Sequence, residues 1–117
     1  SGEIDMKEIK AFIHSHRTAA VIQALRESGL CNMQVDGGCC HIAVSQVQCV
    51  QSVSDAMQQH YSVDLGEPVV LQTKLELICD DEAADTLVDL IVSTGHAGLE
   101  CSGWVHVQPL ERRITIA

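Results

Sequence analysis

The densest chemistry in the chain is Cys39-Cys40-His41. Thiolates and imidazoles are soft and borderline ligands, suited to zinc, copper and similar ions. Cys31 precedes this cluster, and Cys49 and His60 follow it. No C-x-x-C pair occurs among the six cysteines, so a zinc ribbon is excluded. A metal site built from Cys39, Cys40 and His41 would need further ligands from a neighbouring subunit. The competing reading is packing: Cys40, Cys79 and Cys49 as small buried thiols in a core. The start is charged and has no apolar leader, so export is not expected and a cytoplasmic chain is. There thiols stay reduced, so disulfides are not expected.

Imidazoles and guanidinium come next. His14-Ser15-His16 is followed by Arg17, an anion-ligand candidate where a strand gives way to a helix. Both histidines also read as solvated groups at a strand end. His96 lies in the run Gly95-His96-Ala97-Gly98, whose backbone amides could form an anion-binding nest. Such a nest suits a small anion such as bicarbonate better than a triphosphate. His106 sits in a late alternating segment, and either histidine could present a cation once protonated. No nucleophile is paired with a base and no catalytic motif appears, so an enzyme is not expected.

These groups need elements to position them. The 117 residues fit one domain, 1–117, at about 100 to 200 residues per domain. Residues 1–5 read as a tail before a native start at or near Met6. Seven Lys plus Arg against sixteen Asp plus Glu give −9, which argues against nucleic acid. It also argues against anionic membrane surfaces. No apolar run is long enough to insert in a bilayer. With one Phe, one Tyr and one Trp, the core must be aliphatic.

Alternation predicts a strand over 9–13, then a helix over 16–28 with Ser15 as N-cap and Gly29 as its left-handed stop. Residues 31–40 read as irregular, with a turn at Asp36-Gly37-Gly38. A second strand is expected over 41–50. The polar stretch 51–68 holds a short helix over 54–60 and a loop at Leu65-Gly66-Glu67-Pro68. A long strand follows over 69–79. Asp80-Asp81-Glu82 sets acid at a helix start, where the macrodipole favours it. That helix closes at Thr94-Gly95. A loop over 96–103 leads to a strand over 103–108, and 114–116 reads as a short edge strand.

The order strand, helix, strand, then strand, helix, strand predicts an α+β fold. It is the ferredoxin-like βαββαβ sandwich, an antiparallel four-stranded sheet with two helices on one face. Ile and Val occur on both sides of the strands, so the second face calls for cover by self-association.

In order and spacing, the chain resembles the P-II signalling proteins (nitrogen regulatory protein P-II). Met6-Lys7-Glu8-Ile9-Lys10-Ala11-Phe12-Ile13 is similar to the opening strand of that family. Ala24-Leu25-Arg26-Glu27-Ser28-Gly29 is similar to its first helix end. Ile42-Ala43-Val44-Ser45-Gln46-Val47 resembles the strand leading into its T-loop. Thr73-Lys74-Leu75-Glu76-Leu77-Ile78-Cys79-Asp80-Asp81 resembles the strand and helix start after that loop. Thr94-Gly95 and Gly103-Trp104-Val105-His106-Val107 resemble the B-loop and its following strand. The resemblance implies a homotrimer with effector sites between subunits and no catalysis. It also implies a T-loop, here 49–68, that docks on a partner transporter or enzyme. Cys49, His60 and Tyr61 are the T-loop residues expected at such a contact. Tyr61 matches the region where some members carry a modified tyrosine, and also reads as an ordinary loop aromatic. Family effectors include adenine nucleotides and 2-oxoglutarate. Bicarbonate and a transition metal are further candidates here, the metal for a branch that accompanies efflux pumps.

The B-loop counterpart, 95–103, departs from the family. The resemblance assigns effector contacts to Thr94, Gly95, His96, Gly98, Ser102, Gly103 and Trp104, beside Arg17. The family's Asp-Gly-Lys falls on Ser102-Gly103-Trp104, so its phosphate lysine is lost. Its two C-terminal phosphate arginines fall on Thr115 and Ala117. A charged hydrogen bond is worth about 1.5–3 kcal/mol, so losing three such cations implies weak or absent ATP binding.

Overall fold

The structure, a computed structural model, describes residues 5–30, 42–50, 59–98, 103–114 and 116. Among these residues, five strands and two helices run in the order β1 (Met6–His14), α1 (Thr18–Glu27), β2 (Ala43–Cys49), β3 (Gln59–Ser62), β4 (Glu67–Asp80), α2 (Asp81–Gly95) and β5 (Gly103–Leu110). The sheet order is β2-β4-β1-β5, with β3 also paired to β4. All pairings are antiparallel. This α+β arrangement is compatible with a ferredoxin-like fold.

Register explains which residues are buried. Ile9 stands between Leu77 and Val107, and Ala11 between Leu75 and Val105. Successive strand residues point to opposite faces, so these rows share one side of the sheet. Val21 and Leu25 of α1 and Ala84, Leu87 and Ile91 of α2 close over that side. Cys79 is fully buried in this cluster, as expected of a small core thiol. Burying each Leu or Ile contributes about 1.5–3 kcal/mol. The core contains no aromatic ring.

Gly29 ends α1 as expected, at φ +72°, with its amide donating to the Arg26 carbonyl. The expected N-cap at Ser15 is corrected. Residues Ser15–Arg17 form a 3-10 turn, and His14 Nδ1 accepts from the His16 amide at 3.2 Å. The imidazole thus caps the 3-10 turn, and α1 itself begins after Arg17 with no side-chain cap. At α2, Asp81 and Glu82 occupy the first turn. Lys7 reaches Asp81 at 3.0 Å, joining β1 to the helix start.

The stretch 59–68 also differs from expectation. Residues 59 and 60 belong to a strand rather than a helix, and Glu67 and Pro68 belong to β4 rather than a loop. The turn between them is closed by the Gly66 amide donating to the Ser62 carbonyl at 2.8 Å. Val70 stands opposite both Cys49 and Gln59. β2 and β3 therefore flank β4 on opposite edges, and β3 continues the line of β1 past His14. The predicted helix residues 54–58 and the turn at 36–38 lie outside the described residues. Ile114 is not in a strand, contrary to the expected edge strand at 114–116.

Candidate functional site

The residues expected to bind an effector separate into two places. The first is a corner where α1 begins and α2 ends. Arg17 Nε donates to the Thr94 carbonyl at 2.9 Å. The last turn of α2 has no basic residue of its own, and its free carbonyls carry negative potential. Arg17 supplies the missing cation.

Thr94 offers less than expected. Its hydroxyl donates to the Leu90 carbonyl at 2.6 Å and is therefore engaged within α2. Gly95 is buried, and a Cβ there would meet Ile13 and Val21 at 3.6 and 3.8 Å. His96 is extended at φ −63°, ψ 124°. The amides at 95–97 therefore do not converge as the nest reading required. Gly98 adopts φ +72°. In this corner, Arg17 is the group best placed to hold an anion.

The second place is the sheet face opposite the helices. Trp104 pairs with Phe12 across β5 and β1, so its ring stands on the side away from Gly95. Trp104 stacks on Phe12 at 4.9 Å between centroids, with planes 20° apart. His106 lies 5.7 Å from the same ring at 18°. Trp104 Nε1 donates to His106 Nε2 at 3.0 Å, which places the His106 proton on Nδ1. Lys74 Nζ lies 6.0 Å from the Phe12 centroid. Gly103, just before Trp104, has φ +150°. A Cβ there would fall 1.9 Å from the Phe12 carbonyl oxygen, so only glycine lets β5 approach β1.

This open face is less apolar than alternation suggested. Glu8, Lys10, Lys74 and Glu76 stand on it beside Phe12 and Trp104. Lys10 pairs with Glu8 at 3.2 Å, and Lys74 with Glu76 at 2.9 Å. The Lys74 hydrogen bond holds the Glu76 carboxyl below its usual range.

The expected partner-contact residues lie at the far end of β4. Cys49 is half-buried opposite Val70, and burial pushes its thiol pKa up, away from a ready thiolate. His60 and Tyr61 are exposed on β3, with Tyr61 opposite Pro68. Cys39, Cys40, His41 and Ser102 lie outside the described residues. Among the described residues, no three His, Cys, Asp or Glu side chains group as metal ligands.

Sequence reasoning took His106 as a candidate cation for a small anion, but assigned Phe12 to no site and did not single out Gln72. Gln72 is 5% exposed, and its Oε1 has no hydrogen-bond partner among the described residues. The i, i+2 spacing of Trp104 and His106 was the available signal for their shared face. No described helix is long and apolar enough to cross a membrane. No family model matches the chain.

Proposed function

We propose that the chain is a P-II-like regulatory protein of ferredoxin-like fold, acting as a cytoplasmic homotrimer. It binds a small effector between subunits and signals through the 49–68 segment to a transporter or enzyme, without catalysis of its own. The observation that carries this reading is the extension of β4. This strand runs on to Glu67, past the pairing of β1, which ends opposite Gln72, and β3 folds back along its tip. The tip presents exposed His60 and Tyr61 away from the helix-covered core. That is the place a docking loop would take.

Arg17 at the helix corner is the anchor for an anionic effector. Loss of the family's phosphate cations disfavours ATP. A thermal-shift panel of ATP, ADP, AMP, 2-oxoglutarate and bicarbonate tests the reading. A ligand at about 100 times its Kd stabilises the folded state by about 2.7 kcal/mol. One of the smaller anions should raise the melting temperature, and ATP should not. Silence across the panel contradicts the effector, and micromolar ATP affinity by calorimetry contradicts the loss of ATP. A shift with zinc or copper alone would instead favour a metal-sensing module built on Cys39, Cys40 and His41.

A further inference from the structure

We infer that the turn between β3 and β4 is a preformed docking knob for an apolar protein surface ringed by Lys or Arg. This deepens the P-II-like reading, on which it rests, by naming the chemistry of the partner that the 49–68 segment meets.

Three apolar side chains crowd one turn and stand in solvent. Tyr61 is 68% exposed, Val63 86% and Leu65 53%. They sit at the tip of the hairpin made by β3 and the start of β4, with Tyr61 opposite Pro68. β1 ends opposite Gln72, so the tip lies beyond the part of the sheet that β1 and β5 build and that self-association would cover. Single apolar residues scattered over a surface are ordinary, whereas a cluster of them marks an interaction site.

The turn is held in one shape. The Gly66 amide donates to the Ser62 carbonyl at 2.8 Å, and the Leu65 amide donates to the Ser62 hydroxyl oxygen at 3.3 Å. Ser62 itself is buried. Gly66 supplies the left-handed backbone at φ +66° that closes the turn, and a Cβ there would lie 4.0 Å from the Tyr61 hydroxyl. Val63 and Leu65 are therefore presented on a fixed backbone, and a partner does not have to order the turn first.

Charge selects the partner. Between Val50 and Thr73 the only charged side chains are Asp55, Asp64 and Glu67. Asp64 and Glu67 flank Leu65, and both are exposed. A complementary surface brings cations to these carboxylates and apolar side chains to Val63 and Leu65. A second copy of the chain fits poorly: Lys7, Lys10 and Lys74 each bond to an acid of their own chain, and the net charge is −9. An anionic membrane would repel the same carboxylates.

The probe is a short amphipathic peptide of Leu and Lys, followed through the amides of residues 60–67 in a nitrogen-15 correlation spectrum of the intact chain. Those amides should shift saturably, with a Kd below about 100 µM at low salt. Val63→Ser with Leu65→Ser should weaken binding about tenfold. The melting temperature should hold, because both residues are exposed. Asp64→Asn with Glu67→Gln should weaken binding several-fold and flatten its salt dependence. Gly66→Val keeps Tyr61, Val63 and Leu65 but strains the turn, and should also weaken binding; an unchanged affinity refutes a preformed knob. Shifts that map away from 60–67 refute the site, as does equal affinity in the Val63→Ser, Leu65→Ser variant. Equal affinity for a peptide of Ser and Lys would reduce the contact to charge alone and overturn the proposal. Shifts at 60–67 with vesicles of phosphatidylcholine and phosphatidylserine but not with peptide would assign the tip to a membrane. Shifts on protein dilution without peptide would assign it to a second copy, and either result overturns the proposal. The particle mass and the anion panel do not involve the tip, so failure here is distinguishable from failure of the P-II-like reading.

Discussion

Arg17 donates from Nε to the Thr94 carbonyl at 2.9 Å, tying the entry of α1 to the exit of α2 across 77 positions. The bond is charge-assisted and ends on a helix C-terminus, where a cation is favoured. Arg17→Ala should lower stability by about 1–2 kcal/mol. Urea unfolding should show a lower midpoint at unchanged slope. No change in midpoint would show that the bond does not hold the corner. If Arg17 also anchors the effector, the same variant loses the thermal shift given by the responding anion.

Gly103 and Gly29 should respond very differently to alanine. At Gly103 the new Cβ meets the Phe12 carbonyl oxygen at 1.9 Å, at φ +150°. β5 must then leave β1, at a cost of about 3 kcal/mol or more. At Gly29 nothing lies within 4 Å, and only the left-handed backbone at φ +72° resists the change. That costs about 1–2 kcal/mol. Melting temperatures of the two variants check the ranking, and equal losses would contradict it.

Gln72 carries a polar atom with no partner among the described residues, on the open face between Val47 and His14. An enclosed, unpaired carbonyl costs about 1–3 kcal/mol. Gln72→Met keeps the length and removes that atom, and should stabilise the chain by about 1 kcal/mol. A destabilised Gln72→Met in the urea midpoint would show that the amide is engaged after all.

His14 makes stability pH-dependent. Burial first, and the neighbouring His16 second, lower its pKa below 6.5. Its ring lies 4.7 Å from that of His16, edge to face. Nδ1 must stay unprotonated to accept from the His16 amide. With the folded pKa lowered, the unfolded chain takes up the proton first. The His14 contribution is therefore complete above the unfolded value near 6.5 and is lost as pH falls through the lower folded value. Unfolding midpoints should drop between pH 7.5 and pH 5. His14→Asn keeps an acceptor for the cap and should flatten that drop. Glu76 acts in the same direction but in a separate, more acidic window, below 4.5.

Much of the fold could be read locally. The alternation of Ile9, Ala11 and Ile13 and of Leu75, Leu77 and Cys79 marks two central strands whose one face is buried. Gly29 and the acidic turn at Asp81 mark helix ends, because both effects act within a few residues. What was missed depends on partners distant in sequence. β3 is short and polar, and exists as a strand through its pairing with the tip of β4. Ser15 lost the capping role because a 3-10 turn, capped by His14, precedes α1, which starts after Arg17 with no side-chain cap. For the site, Arg17 was legible as a cation at a strand end, but its carbonyl partner 77 residues away was not. Trp104 appeared to belong with Gly95 because both flank one loop. The register of β5 against β1 sends its ring to the opposite face.

The central claim is that the chain works as a trimer with effector sites between subunits. The chain is 12.7 kDa, so light scattering after size exclusion should give about 38 kDa at about 50 µM protein. That trimer would carry roughly −27, so its mass should hold better at physiological salt than at low ionic strength. A constant mass of 12.7 kDa across that concentration and salt range would contradict the account.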